Sequence, residues 1–290
     1  MSKRPRGFIA NYKPRSTAGL LEQVKTVLAE YQDQLPLTCR QIFYRLVGRH
    51  DYEKNERAYK RLTDLIGNAR RGGAIPWEHI RDDGNSVVAP ALWESADQWL
   101  HAIRHEAKRL RLSPWPAQAV YVEVICEAGG MVPMLARVAD PYGVIVRSGG
   151  GFDSITAKHD LACHYARQVD PVVMLHVGDY DPSGEALWRN LEEDVTAFTE
   201  AMGGQLTVRR IAVTRAQQLL HDLPTAPPKK TDKRGAFDDS ITVQAEALPP
   251  DVLQQIVRDA IEEEMDLEAL VQTSQQQSIT QRELVERLMQ

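Results

Sequence analysis

From residue 119 onward the chain alternates between two patterns. Short runs rich in β-branched residues, "AVYVEVIC" (119–126), "YGVIVRS" (142–148), "PVVMLHVGD" (171–179) and "LTVRRIAV" (206–213), are separated by segments of helical periodicity at 130–139, 154–168 and 184–202. Runs this apolar suit strands buried on both faces, and strand–helix–strand alternation joins parallel neighbours through crossover helices. The expected architecture is therefore mixed α/β, with a mainly parallel sheet covered on both sides. In such a sheet, sites form at the carboxyl ends of the strands. At 43% hydrophobic and 26% charged, the 290 residues can fill that core and a second domain besides.

The first third reads differently. Residues 1–17 read as a flexible basic arm, and a helix over about 18–34 (Leu20, Leu21, Val24, Val27, Leu28) is stopped by Pro36. In "LTCRQIFYRLVGRH", Thr38 and Gln41 have capping-box spacing, so a helix starts there. A second helix fits "NERAYKRLTDLIGNAR", with Asn55 as N-cap and Tyr59, Leu62, Leu65, Ile66 and Ala69 on its inner face. A turn and a hairpin-like piece, "RRGGAIPWEHIRDD", follow. This order outlines a winged helix-turn-helix (CAP-like) domain over 18–112, closed by a helix at 91–112. Residues 113–118, "SPWPAQ", read as a linker, 119–250 as the sheet domain, and 251–290 as an acidic tail. The tail holds helices at 251–271 and 279–289 joined by "QTSQQQS", and "PTAPPKKTDKRG" (224–235) is a polar excursion, either a loop or a nucleic-acid contact.

Charge follows this division. Residues 1–72 carry 15 Lys and Arg against 7 Asp and Glu, whereas 236–290 carry 3 against 12. A basic face for a polyanion at one end is one reading, and two solvated helix faces are the other. On the first reading Arg57, Lys60, Arg61, Arg70 and Arg71 contact the phosphates of double-stranded DNA. No apolar run approaches the roughly 20 residues of a membrane helix, so no membrane partner is expected. Three cysteines (Cys39, Cys126, Cys163) without metal-like spacing suggest a reduced, cytoplasmic protein.

Two carboxylate-bearing segments fall at strand ends. Glu127 follows the first strand, and Asp179 and Asp181 follow the third, in "HVGDYDPSG" (176–184). If those strands are neighbours, the three carboxylates converge on an all-oxygen site suited to Mg²⁺ or Mn²⁺. Their mutual repulsion would be relieved by the cation. The alternative is an Asx-type turn capped by Pro182. Glu123 is a rival to Glu127, but inside the strand it is expected to be edge-exposed or paired. Asp153 is either second to the site or a helix N-terminal acid. No G-x-x-x-x-G-K-[ST] occurs, so ATP hydrolysis by this chain is not expected.

Tyr44 is the other candidate. It stands off the Ile42, Phe43, Leu46 stripe and shares a face with Arg40, four residues before it. A guanidinium favours the phenolate, which suits a tyrosine nucleophile beside a phosphate-holding arginine. The alternative is an amphipathic tyrosine beside an arginine that stacks or contacts phosphate.

Together these residues resemble a family. "LTCRQIFYRLVG" resembles the tyrosine motif of the topoisomerase VI A subunit and the related meiotic double-strand-break protein. "VICEAGGMVPML" and "HVGDYDPSG" resemble the Glu and D-x-D-P-x-G motifs of the Toprim domain in those proteins, with "SGGGFD" as the glycine-rich turn between them. The motif order is the family order, over roughly residues 35–255, and the compact form is most similar to stand-alone members from bacterial mobile elements, phages and plasmids. "EALPP" (246–250) also resembles a late family element. Where the family has Lys and then an acid after the Toprim Glu, this chain has Ala128 and Gly129.

The resemblance implies a winged-helix domain followed by a Toprim-type, Rossmann-like domain, in a nucleoid-associated homodimer. It implies that Tyr44 of one subunit attacks DNA at the Glu127/Asp179/Asp181 site of the other, forming a 5′-phosphotyrosyl link with Mg²⁺ in support. A complete topoisomerase would need a separate ATPase subunit in trans. A Toprim nuclease with a structural Tyr44, and a DNA-binding regulator with a weakened metal site, are the competing readings.

Overall fold

The computed structural model of the chain describes residues 9–14, 16–81, 92–149, 155–227 and 241–289. Helix α1 (Ala18–Glu30) buries Leu21, Val24, Val27 and Leu28, and the stretch to residue 34 is completed by a 3₁₀ turn instead of α-helix. The two-residue β1 (Leu37–Thr38) enters α2 (Cys39–Arg49) through the expected capping box. Thr38 Oγ1 accepts from Gln41 N at 3.1 Å, and Gln41 Oε1 accepts from Thr38 N at 2.9 Å. Asn55 caps α3 (Glu56–Arg71) by accepting from Ala58 N at 2.8 Å. The next strand, β2 (Ile80–Arg81), pairs in parallel with β1. Of the hairpin-like piece expected at 70–83, residues 82 and 83 lie outside the described residues. Helix α4 (Ala96–Ala107) is shorter than the expected 91–112. Of the expected basic arm, residues 9–14 are held down: Ile9 N donates to Arg71 O at 2.9 Å, and Tyr12 lies against Gly72.

The second part carries the expected alternation. It runs β3 (Tyr121–Cys126), α5 (Val132–Ala139), β4 (Ile145–Ser148), α6 (Ile155–Tyr165), β5 (Val172–Val177), α7 (Pro182–Ala201), β6 (Leu206–Ala212) and α8 (Arg215–Leu220). The strands form one parallel sheet in the order β4-β3-β5-β6. The chain leaves β3 toward β4 and then crosses back to the other side of β3 for β5. The β3/β5 pair is therefore the switch point, where a crevice opens beyond the strand ends. Side chains alternate between the two faces. Tyr121, Ile125 and Met174 pack with α6 and α7, while Val122, Val124, Cys126 and Leu175 face the larger core.

Two expectations about the C-terminal segment are revised. Helix α9 (Pro250–Glu264) is no solvated tail, because Leu253, Val257, Ala260 and Ile261 belong to the larger core. The break falls at Met265–Asp266, where Asp266 Oδ1 caps α10 (Leu267–Met289) through Ala269 N at 3.0 Å. The Gln-rich run is the middle of α10, not a joint. Gln is a good helix former, and Thr273, Ser274, Ser278 and Thr280 bond back to carbonyls one turn earlier. Helix α10 packs against α4 through Leu284 and Leu288 beside Trp99 and Ile103. The larger core is continuous from α1 to α9, so the N-terminal helices and the sheet are fused by shared apolar packing. Among the described residues, no helix is long and apolar enough to cross a membrane.

Candidate functional site

The β3–β5 register runs from Tyr121 opposite Val172 to Cys126 opposite Val177, so Glu127 and Gly178 leave the sheet at the same level. Glu127 N still donates to Val177 O at 2.8 Å, and Asp179 N donates to Glu127 Oε2 at 3.1 Å. The strands are neighbours, and the Glu127 and Asp179 segments meet, as their convergence required. Asp181 is the N-cap of α7, with Oδ1 accepting from Gly184 N at 2.7 Å and Pro182 in the first turn. The Asx-type turn is therefore present. It does not exclude a ligand role, since one oxygen is used for the cap.

Two glycines let this turn close. A Cβ on Gly178 would come within 2.5 Å of His176 Cε1 and 2.7 Å of Glu127 Oε2. A Cβ on Gly184 would sit 2.3 Å from Asp179 O. The tightness has an electrostatic consequence. Burial, then the neighbouring Asp179 charge, pushes Glu127 up to about 7. Burial, then Asp181, pushes Asp179 up to about 6, against the pull of the Ala245 N–H and of Arg40 and Arg210. The acids are thus poorly compensated by protein charge alone.

Three hard-oxygen carboxylates have the chemistry of a Mg²⁺ or Mn²⁺ donor set. Their arrangement is less complete. Each turns one oxygen to a backbone N–H, and among the described residues no three His, Cys, Asp or Glu side chains stand where they could together hold a metal ion. Ala128 and Gly129 add no ligand, and Asp153 lies outside the described residues, as does most of the "GGGFD" turn.

Tyr44 lies at the same turn, in the same chain. Its hydroxyl donates to Gln244 Oε1, and the next residue, Ala245, donates its N–H to Asp179 Oδ1 at 2.8 Å. The expectation of an activated phenolate is corrected. Burial raises the Tyr44 pKa well above the ordinary value, Arg40 opposes it, and Asp179 and Glu246 add to it. Arg40 places Nε 3.4 Å from the buried Glu246 carboxylate.

The expected DNA contacts divide into separate groups. Arg57, Lys60 and Arg61 are exposed at helical spacing and line a shallow groove with Tyr12. Arg70 turns to the other side, its guanidinium 4.5 Å from the Trp77 ring centre and bonded to Trp77 O and Ile80 O. With Arg40, Arg81 and Tyr59 it walls a cleft of about 510 Å³ whose opposite side is Ala128, Gly129 and Gly130. Arg71 is half-buried at the end of α3, against residue 9.

Several residues at the site were not singled out from the sequence. Gln244 is one. Lys54 is another: its ammonium is 5.4 Å from the Tyr44 ring centre, donates to Pro224 O at 3.1 Å, and has its pKa lowered by burial. Arg210 on β6 braces the acidic turn, donating to Asp179 O at 2.6 Å and pairing with Glu185 at 2.8 Å. His176, stacked on Trp188 at 4.5 Å, is held neutral by burial and then by Arg210, with its pKa near 3. No spacing rule links Gln244 or Arg210 to the motifs; only the strand order and the return of the chain after β6 do.

Glu123 is settled as paired. It is fully buried, on the face of the central strand β3 that Tyr121 and Ile125 share. Arg147 holds it at 2.7 and 3.1 Å, His164 at 2.7 Å and Tyr121 at 2.9 Å. It fastens β4 and α6 to β3 and stands apart from the Glu127 site.

No protein-family model matches the chain, and no curated protein matches it in sequence.

Proposed function

We propose that the protein binds duplex DNA and cleaves it through a covalent link to Tyr44, as a winged-helix and Toprim protein similar to the topoisomerase VI A subunit. The observation that carries this reading is the meeting of Tyr44 with the Asp179 turn across residues 244 and 245. A tyrosine beside cations and beside carboxylates whose chemistry suits Mg²⁺ is the set of groups that phosphodiester transfer to a phenol uses. The Tyr44 hydroxyl oxygen bonds to phosphorus while the bond from phosphorus to the 3′-oxygen breaks. The phenol loses its proton, and the departing 3′-oxygen gains one. Arg40, and Lys54 beside the ring, would favour the phenolate once the hydroxyl leaves Gln244. A Mg²⁺ ion held by Glu127, Asp179 and Asp181 would supply positive charge to the phosphate. Arg57, Lys60 and Arg61 would hold the duplex by its phosphates. Two copies, each making one cut, would break a duplex, and strand passage would need an ATPase subunit in trans.

A second reading is supported by the Gln244 contact and the raised Tyr44 pKa, which suit a structural tyrosine. The same acids would then serve hydrolysis by water. Incubating the protein with end-labelled duplex and Mg²⁺, then denaturing it, separates the two. Protein-linked DNA that disappears in Tyr44→Phe supports the tyrosyl route. Cleavage that survives Tyr44→Phe supports hydrolysis, and binding without cleavage leaves a DNA-binding regulator.

A further inference from the structure

Helix α7 starts at the acidic turn, and its 20 residues carry the chain about 30 Å away before Met202 ends it. There the side chains of His159, Cys163 and Met202 meet. Cys163 Sγ lies 3.7 Å from His159 Nδ1, 3.8 Å from His159 Nε2 and 3.7 Å from Met202 Sδ. His159 and Cys163 are four residues apart on α6, so they project from one face of it. Met202 comes from the C-cap of the neighbouring helix.

The backbone that carries these groups is set by packing. Helices α6 and α7 share a core of Leu161, Ala162, Tyr165, Leu191 and Val195. Gly203, at φ +85°, turns the chain out of α7, and Gly204 N donates to Thr199 O at 2.9 Å. A Cβ on Gly204 would stand 2.9 Å from Ala166 Cα, so the end of α7 lies directly on the end of α6. The His159 ring is held edge-on to Phe198, with ring centres 5.5 Å apart. Asp160 Oδ1 stands 3.9 Å from His159 Nδ1, on the side where a carboxylate orients an imidazole whose Nε2 takes a metal ion.

Hydrogen bonding accounts for only part of this cluster. The single thiol hydrogen can be directed to the ring or to the thioether, not to both. Around one ion, with metal–nitrogen bonds of about 2.0 Å and metal–sulfur bonds of about 2.3 Å, ligand atoms stand about 3.6–4.0 Å apart. The separations from Cys163 Sγ to the ring nitrogens and to Met202 Sδ fall in that range. The donor types narrow the choice of ion. Thiolate and thioether are soft, and imidazole suits copper, so the set selects Cu(I) over Mg²⁺. Among the described residues no three His, Cys, Asp or Glu side chains could together hold a metal ion, so the thioether is what completes this set. Cys163 is half-buried and His159 and Met202 are exposed, so an ion reaches them from solvent without opening the fold.

We propose that His159, Cys163 and Met202 form a Cu(I) site that ties the end of α7 to α6. The thiol releases its proton to water as the sulfur binds the ion, and no electron is transferred. The site depends on no reading of Tyr44 or of the acidic turn.

Anaerobic titration with Cu(I) buffered by bicinchoninate tests it. Wild-type protein should take one Cu(I) per chain from the chelator. Cys163→Ser, His159→Ala and Met202→Leu should each weaken that uptake by about 10–100-fold, the range lost when even a supporting group of a metal site is removed. Met202→Leu is decisive, because it leaves His159 and all three cysteines in place. Equal uptake by wild type and Met202→Leu would show scavenging by thiols and overturn the proposal. No uptake by wild type, or uptake unchanged in Cys163→Ser, would overturn it as well. X-ray absorption at the copper edge of the loaded wild type judges the site even if a variant fails to fold. One nitrogen and two sulfurs around copper support it, whereas a shell of nitrogen and oxygen, or of one sulfur only, refutes it.

Discussion

Removing the Glu127 charge should make the metal-free protein more stable, although it removes a proposed ligand. The perturbation is Glu127→Gln, which keeps an oxygen for the Asp179 N–H and nearly the same volume. Glu127 is pushed from 4.5 to about 7, first by burial and then by Asp179. At about 1.4 kcal/mol per pKa unit, a shift of that size corresponds to about 3 kcal/mol of destabilisation when the group is ionised. Solvent reaches part of this half-buried carboxylate and screens it, which reduces the figure to about 1–2 kcal/mol. Because the folded state holds the proton more tightly than the unfolded chain, stability falls as pH rises from about 4.5 through about 7. Below that window the two proteins should be equally stable. Above it Glu127→Gln should lead by about 1–2 kcal/mol. Urea unfolding at pH 4, 6 and 8 in the presence of a chelator measures this. Adding Mg²⁺ at pH 8 should stabilise the wild type more than the variant. A variant less stable than wild type at pH 8 without metal would refute the account of strained acids.

Three other outcomes are expected. Glu123→Ala should cost about 3–5 kcal/mol in thermal or urea unfolding, since it leaves Arg147 and the buried Tyr121 and Tyr165 hydroxyls without their carboxylate. A loss under about 1 kcal/mol would show that the cluster does not fasten β4. Thr38→Ala should cost about 1 kcal/mol by breaking the capping box of α2. DNA affinity should fall steeply between about 50 and 200 mM salt, and replacing Arg57, Lys60 and Arg61 by Ala should flatten the log–log slope by about 2–3; an unchanged slope would move the DNA contact elsewhere.

Local rules carry a large part of this protein. The box at Thr38, the Asn55 cap and the four strands follow from neighbouring residues, and each forms where the sequence puts it, although only β3 and β5 are buried along their whole length. The acidic turn is equally local: Asp179, Asp181, Pro182 and Gly184 specify a strand end, a cap and a helix start. Local reasoning fails where two distant surfaces meet. The 3.6-residue period gives α2 one inner stripe and leaves Tyr44 outside it. Gln41 through Leu46 are nevertheless all buried, because the sheet part covers a second side of the helix. That second cover reverses the expected effect of Arg40, since desolvation of the phenol outweighs one neighbouring guanidinium.

The sequence by itself determined the main helices and strands, their order and the chemical types at the strand ends, because caps, turns and hydrophobic periods act over a few residues. Only the tertiary structure decided that β3 and β5 are neighbours, bringing Glu127 to Asp179. It alone decided that residues 243–247 return between Tyr44 and Asp179 from some 200 positions away. Such contacts depend on how whole faces pack and on which polar groups that packing deprives of water, and no short-range pattern encodes either.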